Sequence, residues 1–193
     1  MSTYDSISEL YDPWSRSVVE DVEFYVEEAV ASGGPVVELA VGTGRIAVPT
    51  AKAGISVIGV DASAGMLSVA ADYARAEGVA DLLDLRLGDM REPPVSERVP
   101  LVTIPFRSLL HMTTEPDRLA ALTAARELLL PGGQLVFDGF APSREDVETT
   151  HGRWLERAAG NVARAAGDEN ARKLTRSVRG GGRCSARSSW SPP

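Results

Sequence analysis

One cysteine, two histidines, four phenylalanines, four tyrosines and three tryptophans are all that this chain of 193 residues holds of those types. Each shortage excludes something. A lone thiol, Cys184, cannot close an intramolecular disulfide, and it has no zinc-site neighbours in the sequence, so the composition points to a reducing compartment, the cytoplasm. No metal is implied. An aromatic content of 6% is too sparse for a base-stacking surface, and a formal net charge of -7 argues against a nucleic-acid partner. The first ten residues lack a basic-then-apolar pattern and no apolar run approaches bilayer length, so neither export nor a membrane partner is expected. No repeat period is present, which removes solenoids and propellers. A small molecule, with cationic character, suits the charge balance better than a polyanion.

Hydrophobic residues at 44% against 24% charged give ample material for one packed core. The charge is uneven: residues 1–139 carry 21 acidic and 10 basic side chains, and residues 140–193 carry 6 and 10. Val18, Val22, Val26 and Val30, with Val19 and Ala29 beside them, predict a helical stripe that ends at Ser32-Gly33-Gly34-Pro35. PVVELAVGTGRIAVPTAKAG reads as strand, glycine turn and a short helix from near Ile46 to Gly54. Pro49 falls in that helix's first turn, where its missing amide does no harm. SVIGVD is a second strand, Ser63 to Gly78 a helix, LLDLRLGD a third strand and PLVTIPF a fourth. Thr114 and Asp117 cap the helix DRLAALTAARELLL, which Pro131-Gly132-Gly133 ends before a fifth strand, QLVFDGF. Strands alternating with helices predict an α/β fold, a Rossmann-like, doubly wound and mostly parallel sheet.

Glu38, Ala40, Gly42 and Gly44, spaced two apart, form the turn after the first strand. Glycine there lets a ligand approach the backbone and tolerates positive φ. GTGRIA also satisfies the looser dinucleotide fingerprint, with Asp61 ending the second strand where a ribose-binding acid belongs, so a nicotinamide-dependent oxidoreductase is one reading. The charge of Glu38 favours another. A dinucleotide would bring two phosphates towards that carboxylate, whereas S-adenosylmethionine brings an ammonium and a sulfonium. No GK[ST] follows the glycines, so a P-loop is excluded. A plain strand-to-helix turn remains the alternative.

Taken together these residues resemble the class I S-adenosylmethionine-dependent methyltransferases, in particular the small-molecule branch with N-methyltransferases of glycine and amino sugars. The likeness covers roughly residues 4 to 140, judged by the order of the motifs. VVELAVGTGR resembles the first family motif, with Ala40 where a glycine is usual. VIGVDASAGMLSVA resembles the second, which implies that Asp61 takes the ribose hydroxyls and that Met66 packs on the adenine near Ala62. LGDMREPP resembles the third, in which Asp89 would accept from the adenine amino group and the Met90 amide would donate to the ring. Helix capping by Asp61, core packing of Met66 and a turn role for Asp89 are the alternatives. YDSISELYD resembles the N-terminal lid, with Tyr4 and Tyr11 seven apart. It implies that Tyr11 faces the sulfonium and Arg16 holds the ligand carboxylate; an anchoring aromatic and a surface arginine are the alternatives. Arg45 is read as neutralising Glu38 or an aspartate.

The resemblance implies methyl transfer to a small-molecule amine or hydroxyl, in which positioning dominates and a base serves an acceptor that arrives protonated. His111, after the fourth strand, is the candidate base, or else a structural histidine. Phe106 would border the sulfonium or adenine, and Arg107 would steer an anionic acceptor; ordinary packing is the other reading of both. His151 and Trp154 receive no role. Relatives end their sheet with an antiparallel hairpin, which is expected here to be missing or replaced. Residues 141–179 are expected to cover the substrate or the sheet edge. The Gly-, Arg- and Ser-rich residues 180–193 are expected to be disordered, as in a truncated or frameshifted end. The fifth strand would then expose an edge that invites a homodimer. A cofactor-binding pseudoenzyme or regulatory module is the second functional reading.

Overall fold

The computed structural model describes residues 3–6, 11, 19–140 and 183–189. A six-stranded sheet forms the middle layer: β1 Val36–Leu39, β2 Val57–Asp61, β3 Leu83–Leu87, β4 Val99–Ile104, β5 Leu129–Phe140 and β6 Arg183–Ser189. The strands lie in the order β3-β2-β1-β4-β5-β6. The first five are parallel and β6 is antiparallel to β5. Helices α1 Val22–Ser32, α2 Ala47–Lys52, α3 Ala64–Ala76 and α4 Glu115–Glu127 connect and cover the sheet. The doubly wound α/β expectation holds. Because the strand order reverses between β1 and β4, a crevice opens at their C-terminal ends, where such sheets bind ligands.

Every residue of β1 and all of β4 but Pro100 are buried, as near-continuous Val, Ile and Leu runs dictate. Val37, Leu39, Val60, Val102 and Ile104 join Ala121 and Ala125 of α4 in one cluster. Val36, Leu101 and Val136 meet Tyr25 and Ala29 of α1 in another. Local chemistry sets the helix ends. The Ser63 hydroxyl accepts from the Met66 amide at the start of α3, and Thr114 accepts from the Asp117 amide at the start of α4.

Three expectations need correction. The valine stripe is not the buried face of α1: Val30 is half exposed, while Tyr25 and Ala29 are each 1% exposed. Tyr25 wins because its ring fills the core and its hydroxyl donates to Asp138 at 2.9 Å. Val22 and Val26 line a surface groove with Val19, Pro49 and Tyr73, Val22 also packing against the edge of the Tyr25 cluster. Second, Pro131-Gly132-Gly133 does not separate helix from strand. β5 begins at Leu129, and the three residues sit in an irregularity where its pairing jumps from Val99 opposite Leu129 to Leu101 opposite Gln134. Third, part of the tail read as disordered pairs with β5, from Phe140 opposite Arg183 to Gln134 opposite Ser189. Strand pairing uses backbone groups, so it does not demand the apolar periodicity that this segment lacks. That strand covers the β5 edge, and the reason given for a homodimer through it falls away. Residues 141–179 lie outside the described residues.

Replacing Tyr25 with Phe keeps the ring and removes only the hydroxyl, and we expect a loss of about 1–2 kcal/mol, against about 3–5 kcal/mol for Tyr25→Ala. Urea unfolding of both variants measures the difference. A Tyr25→Phe variant as stable as the parent would mean that the bond to Asp138 contributes nothing.

Candidate functional site

The site is built at the C-terminal ends of β1, β2 and β4. Glu38 on β1 pairs in register with Gly59 of β2 and Thr103 of β4, so its side chain and that of Thr103 share a face of the sheet. Both are 2% exposed. Burial, against the opposing pull of Arg45, pushes the Glu38 carboxyl up to about 8, and Asp61 and Asp21 add to the rise. The Thr103 hydroxyl is buried with no hydrogen-bond partner among the described residues.

Beyond Glu38 the chain turns sharply. Ala40 adopts φ 60°, Gly42 57° and Gly44 80°. The two glycines serve different ends. A Cβ on Gly42 would meet nothing within 4 Å, whereas one on Gly44 would come within 3.1 Å of Val48 and 3.4 Å of Ala70, so Gly44 lets α2 and α3 pack against the turn. Asp61 braces the turn, accepting from the Gly42 amide at 2.9 Å and the Ser63 amide at 2.9 Å. Burial raises the Asp61 carboxyl above its usual range, although those backbone donors pull it down. Arg45 does not pair with Glu38 directly. Its guanidinium grips Asp21 at 2.6 and 2.9 Å and lies 4.7 Å from the Phe106 ring centre.

At the end of β4, Phe106 and Arg107 are consecutive non-glycine residues with φ 59° and 62°. That strained turn leads into a single 3-10 turn, Ser108–His111. The His111 imidazole Nε2 lies 3.0 Å from the Tyr4 hydroxyl. Tyr4 in turn stands edge-on to Tyr11, with ring centres 5.9 Å apart. Burial first, and the charge of Asp61 second, raise the Tyr4 phenol above its ordinary value. Asp5 anchors the same segment to the start of α3, accepting from the Ser63 hydroxyl at 2.6 Å and the Gly65 amide at 3.3 Å.

The structure thus gathers Tyr11, Glu38, Ala40, Gly42, Asp61, Phe106 and His111 at one end of the sheet. Other expected contacts stand differently. Met66, at 3% exposure, is packed in the interior, as in its core alternative, and the Met90 side chain is 9% exposed. Ala62 is exposed beside Asp61. The Asp89 carboxylate accepts from the Arg91 amide at 2.8 Å and from its guanidinium at 2.6 and 3.0 Å, the turn alternative, and this pairing lowers its pKa. Arg16, His151 and Trp154 lie outside the described residues. Sequence reasoning left out Asp5, Asp21 and Thr103, and it gave Tyr4 no contact. Only Tyr4 carried a local signal, its spacing from Tyr11; the other three matter through residues distant in sequence.

S-adenosylmethionine fits what is present. Two carboxyl groups destabilised by burial favour a cationic ligand, a hydroxyl with no partner among the described residues sits beside one of them, and open space lies against Gly42. Residues 36–133 match the family model described as a methyltransferase domain. The chain belongs to the class I S-adenosylmethionine-dependent methyltransferases. An uncharacterized methyltransferase of Geobacillus kaustophilus is 31% identical over 67% of this chain and 64% of that protein. Among methyltransferases of known structure, CcbJ from Streptomyces caelestis shares 32% identity with a TM-score of 0.58, covering 61% of this chain and 51% of its own. The glycopeptide N-methyltransferase MtfA, solved with S-adenosylmethionine, shares 29% identity with a TM-score of 0.56, covering 72% of this chain and 55% of its own. The chain therefore spans about half to two-thirds of the length of these relatives. Among the described residues, no helix is long and apolar enough to cross a membrane.

Two expectations follow for stability. Ala40 holds a left-handed conformation that costs an alanine about 1 kcal/mol relative to glycine, so Ala40→Gly should stabilise the protein by about 0.5–1 kcal/mol in urea unfolding. A loss of stability would remove the strain argument. For Glu38 the sign runs with pH. Between the ordinary glutamate value and about 8, the unfolded chain releases a proton that the folded chain keeps, so stability falls as pH rises through that window. Glu38→Gln should abolish that slope and stabilise the free protein above pH 8 by about 1–3 kcal/mol, one to two pKa units' worth. Unfolding midpoints taken across the window decide it, and parallel curves for parent and variant would contradict it.

Proposed function

We propose that the chain transfers a methyl group from S-adenosylmethionine to an amine or hydroxyl of a small molecule, in the cytoplasm. The observation that carries this reading is the pair of burial-strained carboxyl groups, Glu38 and Asp61, flanking the glycine turn at the point where the strand order reverses. The cofactor would supply an already activated methyl group, so the protein's task is alignment and exclusion of water. Glu38 would meet the ligand's ammonium end and Asp61 its ribose hydroxyls, with the Gly42 backbone between them. Tyr11 and Phe106 would wall the sulfonium with aromatic faces. Arg45 would hold Phe106 in place through its stack, while Arg16 would pair the ligand carboxylate. Met66, the Met90 amide and Asp89 would border the adenine, Asp89 sharing its carboxylate with Arg91. His111 would take a proton from the acceptor. That one solved relative is a glycopeptide N-methyltransferase agrees with an amine as acceptor.

Calorimetry should detect binding of S-adenosylmethionine, and Asp61→Asn should weaken it by about 10- to 100-fold, the worth of a charged hydrogen bond. A radiolabelled methyl-transfer screen over glycine, glucosamine and catechol should then find an acceptor class. Binding of NAD in place of S-adenosylmethionine would overturn the reading, and binding with no transfer to any amine or phenol would make the chain a cofactor-binding module instead.

A further inference from the structure

The histidine offered as base shares one ring nitrogen with another side chain. His111 stands at the end of the turn after β4, exposed to solvent, and its Nε2 is taken by the Tyr4 hydroxyl at 3.0 Å. The two rings are perpendicular, with centres 5.5 Å apart. On its other flank Tyr4 touches Tyr11 edge-on and feels the charge of Asp61. The neighbouring Asp5, bound to the Ser63 hydroxyl and the Gly65 amide, pins this segment across the start of α3. Tyr4 therefore lies between the imidazole and the carboxylate read as the ribose acceptor. An acceptor seated on the Asp61 side of Tyr4 would meet the Tyr4 oxygen before His111.

We infer that Tyr4 and His111 form a two-step proton relay for the methyl acceptor. The inference rests on the methyltransferase reading above and deepens it. An N–H bond of the acceptor in its ammonium form breaks, and its electron pair stays on nitrogen as the lone pair of the neutral amine, the nucleophile. The proton passes to the Tyr4 oxygen as the Tyr4 proton passes to His111 Nε2, so Tyr4 ends unchanged and the imidazole becomes imidazolium. His111, being exposed, then returns the proton to water. Tyr4 does not serve as the base itself, because burial and the nearby Asp61 disfavour a phenolate. Its function is conduction, and His111 supplies the basicity.

The test uses Tyr4→Phe, which keeps both ring contacts and removes only the hydroxyl, together with His111→Asn and the double variant. With the amine that scores highest in the screen above, each single variant should lower kcat near neutral pH by about 10- to 100-fold, the usual worth of acid–base catalysis or somewhat less. The double variant should be no worse than either, because a broken series cannot be broken twice. All three should recover towards the parent at a pH where the amine is already neutral, with S-adenosylhomocysteine affinity within about twofold throughout. Losses that multiply in the double variant, or a Tyr4→Phe enzyme with the parent's pH profile, would overturn the relay. A second readout does not need turnover. The chain has two histidines, so imidazole nitrogen NMR yields two sets of signals, which His151→Gln assigns. Tyr4→Phe should move the His111 nitrogen shifts and leave those of His151 in place. Unmoved His111 shifts overturn the relay even if the enzyme methylates amines, whereas absence of transfer with moved shifts overturns the methyltransferase reading, and the relay with it, while leaving the Tyr4–His111 hydrogen bond in place.

Discussion

A carboxyl group held away from water at the centre of a parallel sheet is the constraint around which this molecule is arranged. Glu38 sits on β1, flanked on both sides by hydrogen-bonded strands, and is 2% exposed. Desolvation of that kind is tolerated when something compensates, and the protein's own compensation is partial. Arg45, the nearby cation, commits its fork to Asp21. Burial works against the arginine's charge, and the Asp21 pair more than offsets it, so Arg45 remains a strong cation that pulls Glu38 only through space. Under the proposed function the remaining electrostatic demand would be met by the positively charged cofactor. Stability and binding thereby oppose one another at one residue, as is common where a site is preorganised.

Backbone strain is found on both sides of the same crevice. Ala40 follows β1, and Phe106 with Arg107 follows β4, each in the left-handed region without being glycine. Such conformations persist when their surroundings over-determine them. Here the bracing can be named. The turn after Ala40 is tied to Asp61 through the Gly42 amide, and the Phe106 ring is pressed under the Arg45 guanidinium. Arg45 thus joins the turn after β1, the cap of α1 and the turn after β4.

Much of this was legible from sequence, for identifiable reasons. Buried parallel strands write themselves as short apolar runs, and the glycine spacing after β1 and the Thr114–Asp117 cap are local signals with local causes. Asp61 was legible because it ends a strand whose limits were plain. What escaped was relational. The bond from Tyr25 to Asp138 and the ion pair of Arg45 with Asp21 join residues far apart in the chain, and their consequence, a rotated α1 face, cannot be read from the valine period. Thr103 is an ordinary strand residue until the register sets it beside Glu38. The β6 strand was missed because main-chain pairing leaves no mark on side-chain hydropathy.

That last strand shapes what the fold can accommodate. Phe140 and Arg183 are paired, so the chain between them departs from and returns to one point, at the same end of the sheet as the glycine turn. An excursion whose ends are fastened together can lengthen at small entropic cost, about 0.6 kcal/mol for each doubling. Insertions and deletions there leave the strand registers untouched.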